Sequence, residues 1–264
     1  MEQISSVQNP IIKMVASLHR KKNRQEAGLF IIEGFKGVED ALRYGIKITH
    51  IFINQSAMEK TVGFPQNIVY QVNEKVLKKI SATDSPCEVM AVAKQFQYRT
   101  EDLVKEENSL VIVLEDIKDS GNLGTIIRTS KAAGVSGIIL TGNSADIFNP
   151  KTVRSSAGNL WKIPILYLED KTALKQTLKS HKDFQFISTV VTENTKNYFE
   201  IDYKIPSVVM FGSEAKGLSE ELINQSDLSV KIPMHSEVES LNLSVSAGVI
   251  LYEAFLQKNF PAIR

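Results

Sequence analysis

The chain has 264 residues, of which 43% are hydrophobic and 23% are charged. This composition is typical of a globular protein with a large core, and it excludes disordered and fibrous chains. The 31 lysines and arginines nearly balance the 30 acidic residues, which leaves a net charge of +1. A polyanionic partner would therefore have to bind a local basic patch and not the molecule as a whole.

The N-terminal part alternates helix-like and strand-like segments. Its apolar periodicity predicts elements at Pro10–Leu18, Leu29–Ile32, Gly37–Arg43, Ile48–Ile53, Asn73–Ile80 and Glu88–Ala93. A polar stretch then precedes an abrupt apolar run that starts at Leu110. We therefore predict a smaller α/β domain over residues 1–96, a linker over 97–109 and a second domain over 110–264.

A basic cluster follows the first predicted helix. Five basic or potentially basic side chains fall within six positions, namely His19, Arg20, Lys21, Lys22 and Arg24. Such a cluster can bind phosphates, so Arg20, Lys21, Lys22 and Arg24 are candidate RNA contacts, and Arg154 is another. The alternative is a solvated helix end, where the helix dipole favours cations. This feature alone leaves both interpretations open.

Strands and helices also alternate in the second domain. The pattern predicts strands at Leu110–Leu114, Gly137–Leu140, Ile163–Leu168, Phe186–Val191, Ser207–Phe211 and Leu228–Ile232. It predicts helices at Leu123–Ala133, Lys151–Ala157, Lys171–Ser180, Ser219–Asn224 and Leu243–Leu256. Because these strands are apolar along their length, they indicate a parallel sheet covered on both faces. Ligands of such α/β sheets bind beyond the carboxyl ends of the strands.

The cysteine and histidine content and the apolar runs of the sequence exclude several classes of site. Cys87 is the only cysteine, which rules out an intrachain disulfide and a multi-cysteine metal site. The four histidines are scattered, so no metal is expected. The N-terminal residues lack a signal-peptide pattern, and no apolar run approaches the roughly 20 residues of a membrane span. We therefore expect a cytoplasmic protein without a membrane anchor.

Three polar segments follow predicted strands of the second domain. The first is Ser120-Gly-Asn-Leu-Gly-Thr-Ile-Ile-Arg128, in which two glycines permit a tight turn and Asn122 stands where a helix begins. Taken alone, Asn122 is an ordinary cap and Arg128 an ordinary surface arginine. The glycine spacing is not the G-x-G-x-x-G pattern, which argues against an ordinary dinucleotide site.

The second segment, Val208-Val-Met-Phe-Gly-Ser-Glu-Ala-Lys-Gly217, runs from an apolar strand into a glycine-rich turn. Glycines there let a ligand approach the backbone, and Glu214 is presented at the rim of the sheet. The alternative is a plain strand-to-helix turn in which Glu214 favours a helix N-terminus.

The third segment begins Glu239-Ser-Leu-Asn-Leu-Ser-Val-Ser, at the start of an apolar helix. Either Ser240 or Asn242 could cap that helix. However, Ser240, Asn242, Ser244 and Ser246 place four polar side chains within seven residues, which is more than one cap requires.

Together, Asn122-x-Gly-x-x-x-Arg128, Gly212-x-Glu-x-x-Gly217 and Ser240-Leu-Asn-x-Ser-Val resemble the three ordered motifs of the SpoU (TrmH-like) family of RNA 2′-O-methyltransferases. The resemblance covers about Leu110 to Leu256, and the ordered set is far more specific than any single motif. The N-terminal part looks like the RNA substrate-binding domain that many members carry. One mild departure is Leu243, which stands where the family often has valine.

The resemblance implies a parallel sheet with a deep trefoil knot that binds S-adenosylmethionine. By position in the motifs, the residues that match cofactor contacts are Gly212, Gly217, Ile232 and Leu241. The residues that match substrate-positioning and catalytic positions are Asn122, Arg128, Glu214, Ser240 and Asn242. The family also implies a homodimer in which Arg128 acts across the interface, and ribosomal RNA is the expected substrate.

Two other functions are compatible with parts of this pattern. The first is a non-catalytic RNA-binding or ribosome-assembly protein on the same fold, but a degenerate binder would be expected to lose some of the polar motif residues, and none is missing. The second is a methyltransferase that acts on a base or a small molecule. The RNA-binding resemblance of the N-terminal part and the basic cluster argue against it.

Overall fold

A computed structural model describes residues 1–237 and 240–260. The chain divides into two compact units, of which the first comprises Met1–Phe96 with Asp146–Trp161 and the second Gln97–Ala145 with Lys162–Arg264. Within the described residues, no helix is long and apolar enough to cross a membrane.

The first unit is built on a five-stranded sheet in the order β1-β4-β3-β5-β2. Its strands are β1 (Glu2–Ile4), β2 (Leu29–Glu33), β3 (Ile48–Ile53), β4 (Val69–Val72) and β5 (Val89–Lys94). Its helices are α1 (Pro10–Ser17), α2 (Lys21–Ala27), α3 (Phe35–Arg43), α4 (Glu74–Ile80) and α7 (Pro150–Ser155). Strand β5 is antiparallel to β2 and β3, whereas β1, β3 and β4 are parallel.

Helices α1 and α4 begin at asparagine caps and pack together over one face of this sheet. The Asn9 side chain accepts a hydrogen bond from the Ile11 amide, and the Asn73 side chain accepts one from the Val76 amide. Buried apolar residues of both helices share one core with the sheet: Ile12, Val15, Val76, Leu77, Ile80, Phe52 and Val92. Burial of this apolar surface is what holds the two helices on the sheet.

Arg24 is buried, which corrects its assignment as an RNA contact. Only 1% of its side chain is exposed, and its Nη2 lies 2.6 Å from Asp146 Oδ2. The guanidinium also donates to the carbonyl oxygens of Leu18 and His19. Because a buried charge must be paired, this arginine holds the α1–α2 turn to the segment that starts at Asp146.

Replacement of Arg24 should therefore destabilise the protein. Arg24→Ala leaves the Asp146 carboxylate and two carbonyl groups without their donor, which is expected to cost about 3–5 kcal/mol of unfolding free energy. Urea unfolding measures this cost, with Arg20→Ala as the exposed control that should change stability by less than about 0.5 kcal/mol. Equal stability of the two variants would contradict the structural role of Arg24.

The second unit contains a seven-stranded sheet in the order β10-β12-β9-β11-β6-β7-β8, and every pairing between its strands is parallel. Its strands are β6 (Leu110–Glu115), β7 (Gly137–Thr141), β8 (Ile165–Leu168), β9 (Gln185–Ser188), β10 (Lys196–Asn197), β11 (Ser207–Phe211) and β12 (Leu228–Lys231). Its helices are α5 (Thr100–Leu103), α6 (Ser120–Ala132), α8 (Leu174–Lys179), α9 (Glu220–Ile223) and α10 (Leu243–Asn259). The predicted α/β fold with a parallel sheet is confirmed.

Strands β6 and β11 lie side by side in the middle of this sheet, and every residue of both is buried. Parallel strands end at the same edge of a sheet, so the polar segments that follow β6 and β11 emerge next to each other. Helices α6 and α10 carry the first and third motifs and pack against each other. This topology brings together three segments that are far apart in the sequence.

The compact units differ from the predicted domains in two places. Residues 146–161, which include α7, belong to the first unit. Residues 97–109, predicted as a linker, belong to the second unit and contain α5. Leu103 of α5 is fully buried in the core of the second unit, next to Gly137 of β7. Val104 packs against the same core, and the polar residues on both sides of this pair leave no periodic pattern in the sequence.

Candidate active site

A cleft of about 610 Å³ opens at the carboxyl edge of the sheet in the second unit. Three loops form it, and they follow β9, β11 and β12. Ser246 and Ile250 of α10 complete the wall. The lining combines apolar side chains with backbone groups and hydroxyls, which is typical of a site for a small organic ligand.

All four residues predicted to contact the cofactor line this cleft: Gly212, Gly217, Ile232 and Leu241. Two of the predicted catalytic residues, Glu214 and Ser240, line it as well. Val238 and Glu239, between the second and third motifs, lie outside the described residues.

Gly212 occupies a position with no space for a side chain. A methyl group at its Cα would overlap the backbone of Gly217 and Leu218. The loop between them closes on itself, because the Gly217 amide donates to the Ser213 carbonyl oxygen at 2.8 Å. Gly217 has a φ of +67°, which L side chains rarely adopt. Both glycines are therefore required by the shape of the loop that presents Glu214.

Glu214 is the centre of a hydrogen-bonded cluster that joins the three motifs. Its Oε1 accepts from Asn122 Nδ2 at 2.7 Å and from Asn242 Nδ2 at 3.2 Å. The Leu243 amide also approaches this oxygen, at 3.4 Å. Asn242 Nδ2 lies within 3.2 Å of Asn122 Oδ1 as well. The carboxylate thus holds the N-terminal ends of α6 and α10 together.

The two asparagines are themselves held at helix starts. The Asp119 side chain caps α6 by accepting from the Asn122 amide at 2.8 Å. Asn242 caps α10 by accepting from the Ser244 amide at 2.9 Å. The turn that starts α10 therefore fixes the Asn242 side chain, and the cap of α6 fixes the backbone at Asn122. The Nδ2 of each asparagine donates to Glu214.

A smaller cavity of about 250 Å³ adjoins the cleft. Asn122 and Lys118 line it together with Ser213, Glu214 and Leu243, and the last three also line the larger cleft. Glu214 thus stands between two cavities. One is large and the other is small, which fits a cofactor beside an acceptor group.

Arg128 lies apart from this cluster. It is exposed on α6 and lines neither cavity. Its guanidinium forms no hydrogen bond or ion pair with any residue that the structure describes. Six positions separate it from Asn122 on the same helix, which places it on another face. The structure therefore brings together four of the five predicted catalytic residues and leaves Arg128 outside.

A buried ion pair supports the loop behind Glu214. The Glu115 carboxylate accepts from the Ser219 amide and from Lys171 Nζ, both at 2.7 Å. The hydrogen bond from Lys171 to Glu115 raises the pKa of Lys171 above its usual value. Only 3% of the Glu115 side chain is exposed. This pair fixes the end of β6 to the start of α9 and so anchors the far end of the loop.

The remaining predicted RNA contacts lie in the first unit. Arg20, Lys21 and Lys22 are exposed. Arg154 is partly exposed, and its Nη1 lies 3.1 Å from Glu33 Oε2. Its charge is thus already partly neutralised by Glu33.

Some residues of the cleft were missed by the sequence analysis. Thr189, Val190 and Val191 follow β9, and Asn197 belongs to the short strand β10. The predicted strand Phe186–Val191 included the first three, whereas β9 ends at Ser188. They therefore lie beyond its carboxyl end, where ligands of parallel sheets bind. Asn197 had no signal in the sequence, because a strand of two residues leaves no pattern.

Comparison with known proteins identifies the family. Residues 109–252 match the SpoU rRNA methylase family, and residues 9–91 match the MRM3-like substrate-binding domain. An uncharacterised tRNA/rRNA methyltransferase of Synechocystis sp. is 36% identical over 97% of this chain and 94% of that protein. A 23S rRNA (guanosine(2553)-2′-O)-methyltransferase of Bacillus subtilis is 29% identical over 96% of this chain and 98% of that protein.

A solved structure also matches almost the whole chain. The AdoMet-bound rRNA methyltransferase from Sinorhizobium meliloti is 35% identical, has a TM-score of 0.87 and covers 96% of this chain and 97% of that chain. The resemblance drawn from the three motifs is thereby confirmed. The chain belongs to the SpoU rRNA methylase family and carries an MRM3-like substrate-binding domain in front of its methylase domain.

Proposed function

We propose that this protein is an S-adenosylmethionine-dependent methyltransferase that modifies a ribose 2′-hydroxyl of ribosomal RNA. The observation that carries the proposal is the Asn122–Glu214–Asn242 cluster at the edge of the cleft. Full-length relatives support it, since one is named for 2′-O-methylation of 23S rRNA and another binds AdoMet. A cytoplasmic location, where ribosomal RNA is found, is part of the same proposal.

The cleft fits S-adenosylmethionine by its chemistry. Val230, Ile232 and Leu241 offer apolar surface to an adenine ring, while Gly212 and Gly217 line the cleft with backbone groups that can hydrogen-bond the ligand. Glu214 supplies a negative charge near a sulfonium. When bound, the cofactor provides an electrophilic methyl group. The residues of this chain must then orient the ribose hydroxyl toward it.

Alignment of the two reacting atoms is the main requirement of such a displacement. The small cavity beside Asn122 is the proposed ribose subsite, because it shares Glu214 with the cofactor cleft. Asn122 and Asn242 are fixed by Glu214 and can hydrogen-bond the sugar without first being ordered. Ser240, exposed at the rim of the cleft, is the proposed additional donor to the ribose.

Arg128 is proposed to bind the phosphate of the target nucleotide. A guanidinium stays protonated in proteins, so it is suited to a bidentate phosphate contact and unsuited to act as a base. Because Arg128 lies away from the cluster of its own chain, we propose that it acts on the site of a second subunit.

A homodimer through α6 and α10 is the arrangement that would achieve this. Val245, Tyr252 and Leu256 form an exposed apolar stripe on α10, with 51%, 46% and 41% of each residue exposed. Helix α6, which carries Arg128, packs against α10. An apolar stripe of this kind is typical of a subunit interface.

We also infer the trefoil knot of the family for the C-terminal segment.

Transfer of label to RNA tests the proposed reaction. Purified protein is incubated with labelled S-adenosylmethionine and ribosomal RNA from a strain that lacks this gene, and the RNA is digested to nucleosides. We expect label in one 2′-O-methylated nucleotide. Label in a base would contradict ribose methylation. Binding of RNA and no transfer to free or ribosome-bound RNA would favour a non-catalytic binding protein.

Mixing of two impaired variants tests the role of Arg128. Arg128→Ala is expected to lower turnover about 10- to 100-fold, the value of one charged hydrogen-bond contact. If Arg128 acts across the dimer, unfolding and refolding a mixture with Glu214→Ala should restore activity to about one quarter of the wild-type value, because half of the dimers carry one intact site. No restoration would show that Arg128 acts within its own chain.

A further inference from the structure

We infer that the exposed cations of α4 and of the α1–α2 turn form one surface that binds the phosphodiester backbone of the RNA substrate. This inference rests on the proposed function and extends it to a site in the first unit. Three of its cations, Arg20, Lys21 and Lys22, are adjacent in the sequence. The others are Lys75, Lys78 and Lys79 of α4, more than 50 positions further along.

Packing of α1 against α4 brings the two groups of cations together. His19, which follows α1, donates from its Nε2 to the carbonyl oxygen of Ile80 at the end of α4, over 3.0 Å. Arg20 follows His19 directly, and Lys79 precedes Ile80. The two ends of the surface are therefore linked by a hydrogen bond. The shared core beneath the helices keeps them in this position.

The lysines of α4 all point away from that core. Val76, Leu77 and Ile80 are buried, whereas Lys75, Lys78 and Lys79 are exposed. The spacing i, i+3, i+4 places the three ammonium groups on one face of the helix. Like charges at this spacing destabilise a helix, and only Lys78 and Lys79 gain from the dipole at its C-terminal end. A bound polyanion would remove this repulsion.

Few acidic side chains are available to neutralise these cations. Lys22 lies 3.8 Å from Glu26, and Glu74 stands in the first turn of α4. Among the residues that the structure describes, Arg20, Lys21, Lys75, Lys78 and Lys79 form no ion pair. Of the six cations, only Lys22 thus has an ion pair with a described carboxylate, on a protein whose net charge is only +1. Such an unpaired cluster is suited to the phosphates of RNA.

Salt dependence of RNA binding by the full-length protein tests this surface. The triple variant Lys75→Gln, Lys78→Gln, Lys79→Gln should bind ribosomal RNA at least about 10-fold more weakly near 0.15 M salt. The slope of log K against log salt should fall by about 2 to 3, since each lost phosphate contact removes about 0.7–0.9. S-adenosylmethionine affinity and turnover at saturating RNA should stay within twofold of wild type.

The matched control replaces the same three lysines by arginine. Because the charge is kept, this variant should retain the wild-type affinity and slope. Equal weakening in both triple variants would show that the lysines act through the packing of α4, and an unchanged slope in the glutamine variant would exclude the surface. Wild-type RNA binding without methyl transfer would instead contradict the proposed function and leave the surface intact.

Discussion

Gly212→Ala is expected to abolish cofactor binding, with S-adenosylmethionine affinity lowered by at least about 1,000-fold. The added methyl group would overlap backbone atoms of Gly217 and Leu218, which cannot move aside as a flexible side chain can. The loop must open to relieve this overlap. Opening displaces Ser213 from Gly217 and moves Glu214 away from its two asparagine partners.

Calorimetric titration with S-adenosylmethionine measures this effect, and two other glycines serve as controls. Gly63→Ala meets open space without a positive φ, so it should leave cofactor affinity and stability unchanged. Gly217→Ala also meets open space but forces alanine into a left-handed conformation, which costs about 1–2 kcal/mol. If the Gly212→Ala variant binds the cofactor as tightly as the Gly63→Ala variant, the loop is more adaptable than its packing indicates.

The parts of the fold that the sequence predicted are those with local signals. Strands β6 and β11 are continuous apolar runs, and α10 is a long apolar helix that begins at a polar cap. In contrast, β1 has three residues and β10 has two, which is too short for any periodicity. Both lie at sheet edges, where pairing with a neighbour and not the strand's own pattern defines the element.

Long-range pairing explains the main error at the level of single residues. Arg24 belongs to a run of surface cations, and nothing in that run distinguishes it from Lys22. Its partner Asp146 lies 122 positions away, so the burial of Arg24 depends on a contact that local sequence does not contain. The same limit applies to Glu115, whose role in anchoring Ser219 crosses 104 positions.

For the candidate active site, the sequence predicted three polar segments that the fold brings together, but not the distances between their residues. The contact of Asn122 and Asn242 with one oxygen of Glu214 depends on the order of β6 and β11 in the sheet. Periodicity cannot provide that order. The separation of Arg128 from this cluster was likewise implied only by the resemblance, which places it across a dimer interface.

Glu214→Ala is expected to lower turnover by about 100- to 1,000-fold. The substitution removes the shared acceptor of Asn122, Asn242 and the Leu243 amide. Hydrogen bonds to a charged group contribute about 1.5–3 kcal/mol each, and water will replace part of that at this exposed position. The Asn122 side chain would then keep only its contact with Asn242, so the ribose would lose its preset alignment. Glu214→Gln keeps a neutral acceptor and should lose only about 10-fold.

A double-mutant cycle distinguishes this positioning role from independent contributions. If Glu214 acts by holding Asn122, then Asn122→Ala should cost much less turnover in a Glu214→Ala background than in the wild-type protein. Multiplicative losses would mean that the two side chains act separately. Single-turnover rates at saturating RNA and cofactor are the appropriate measurement, because they report alignment at the reacting atoms and not the strength of RNA binding.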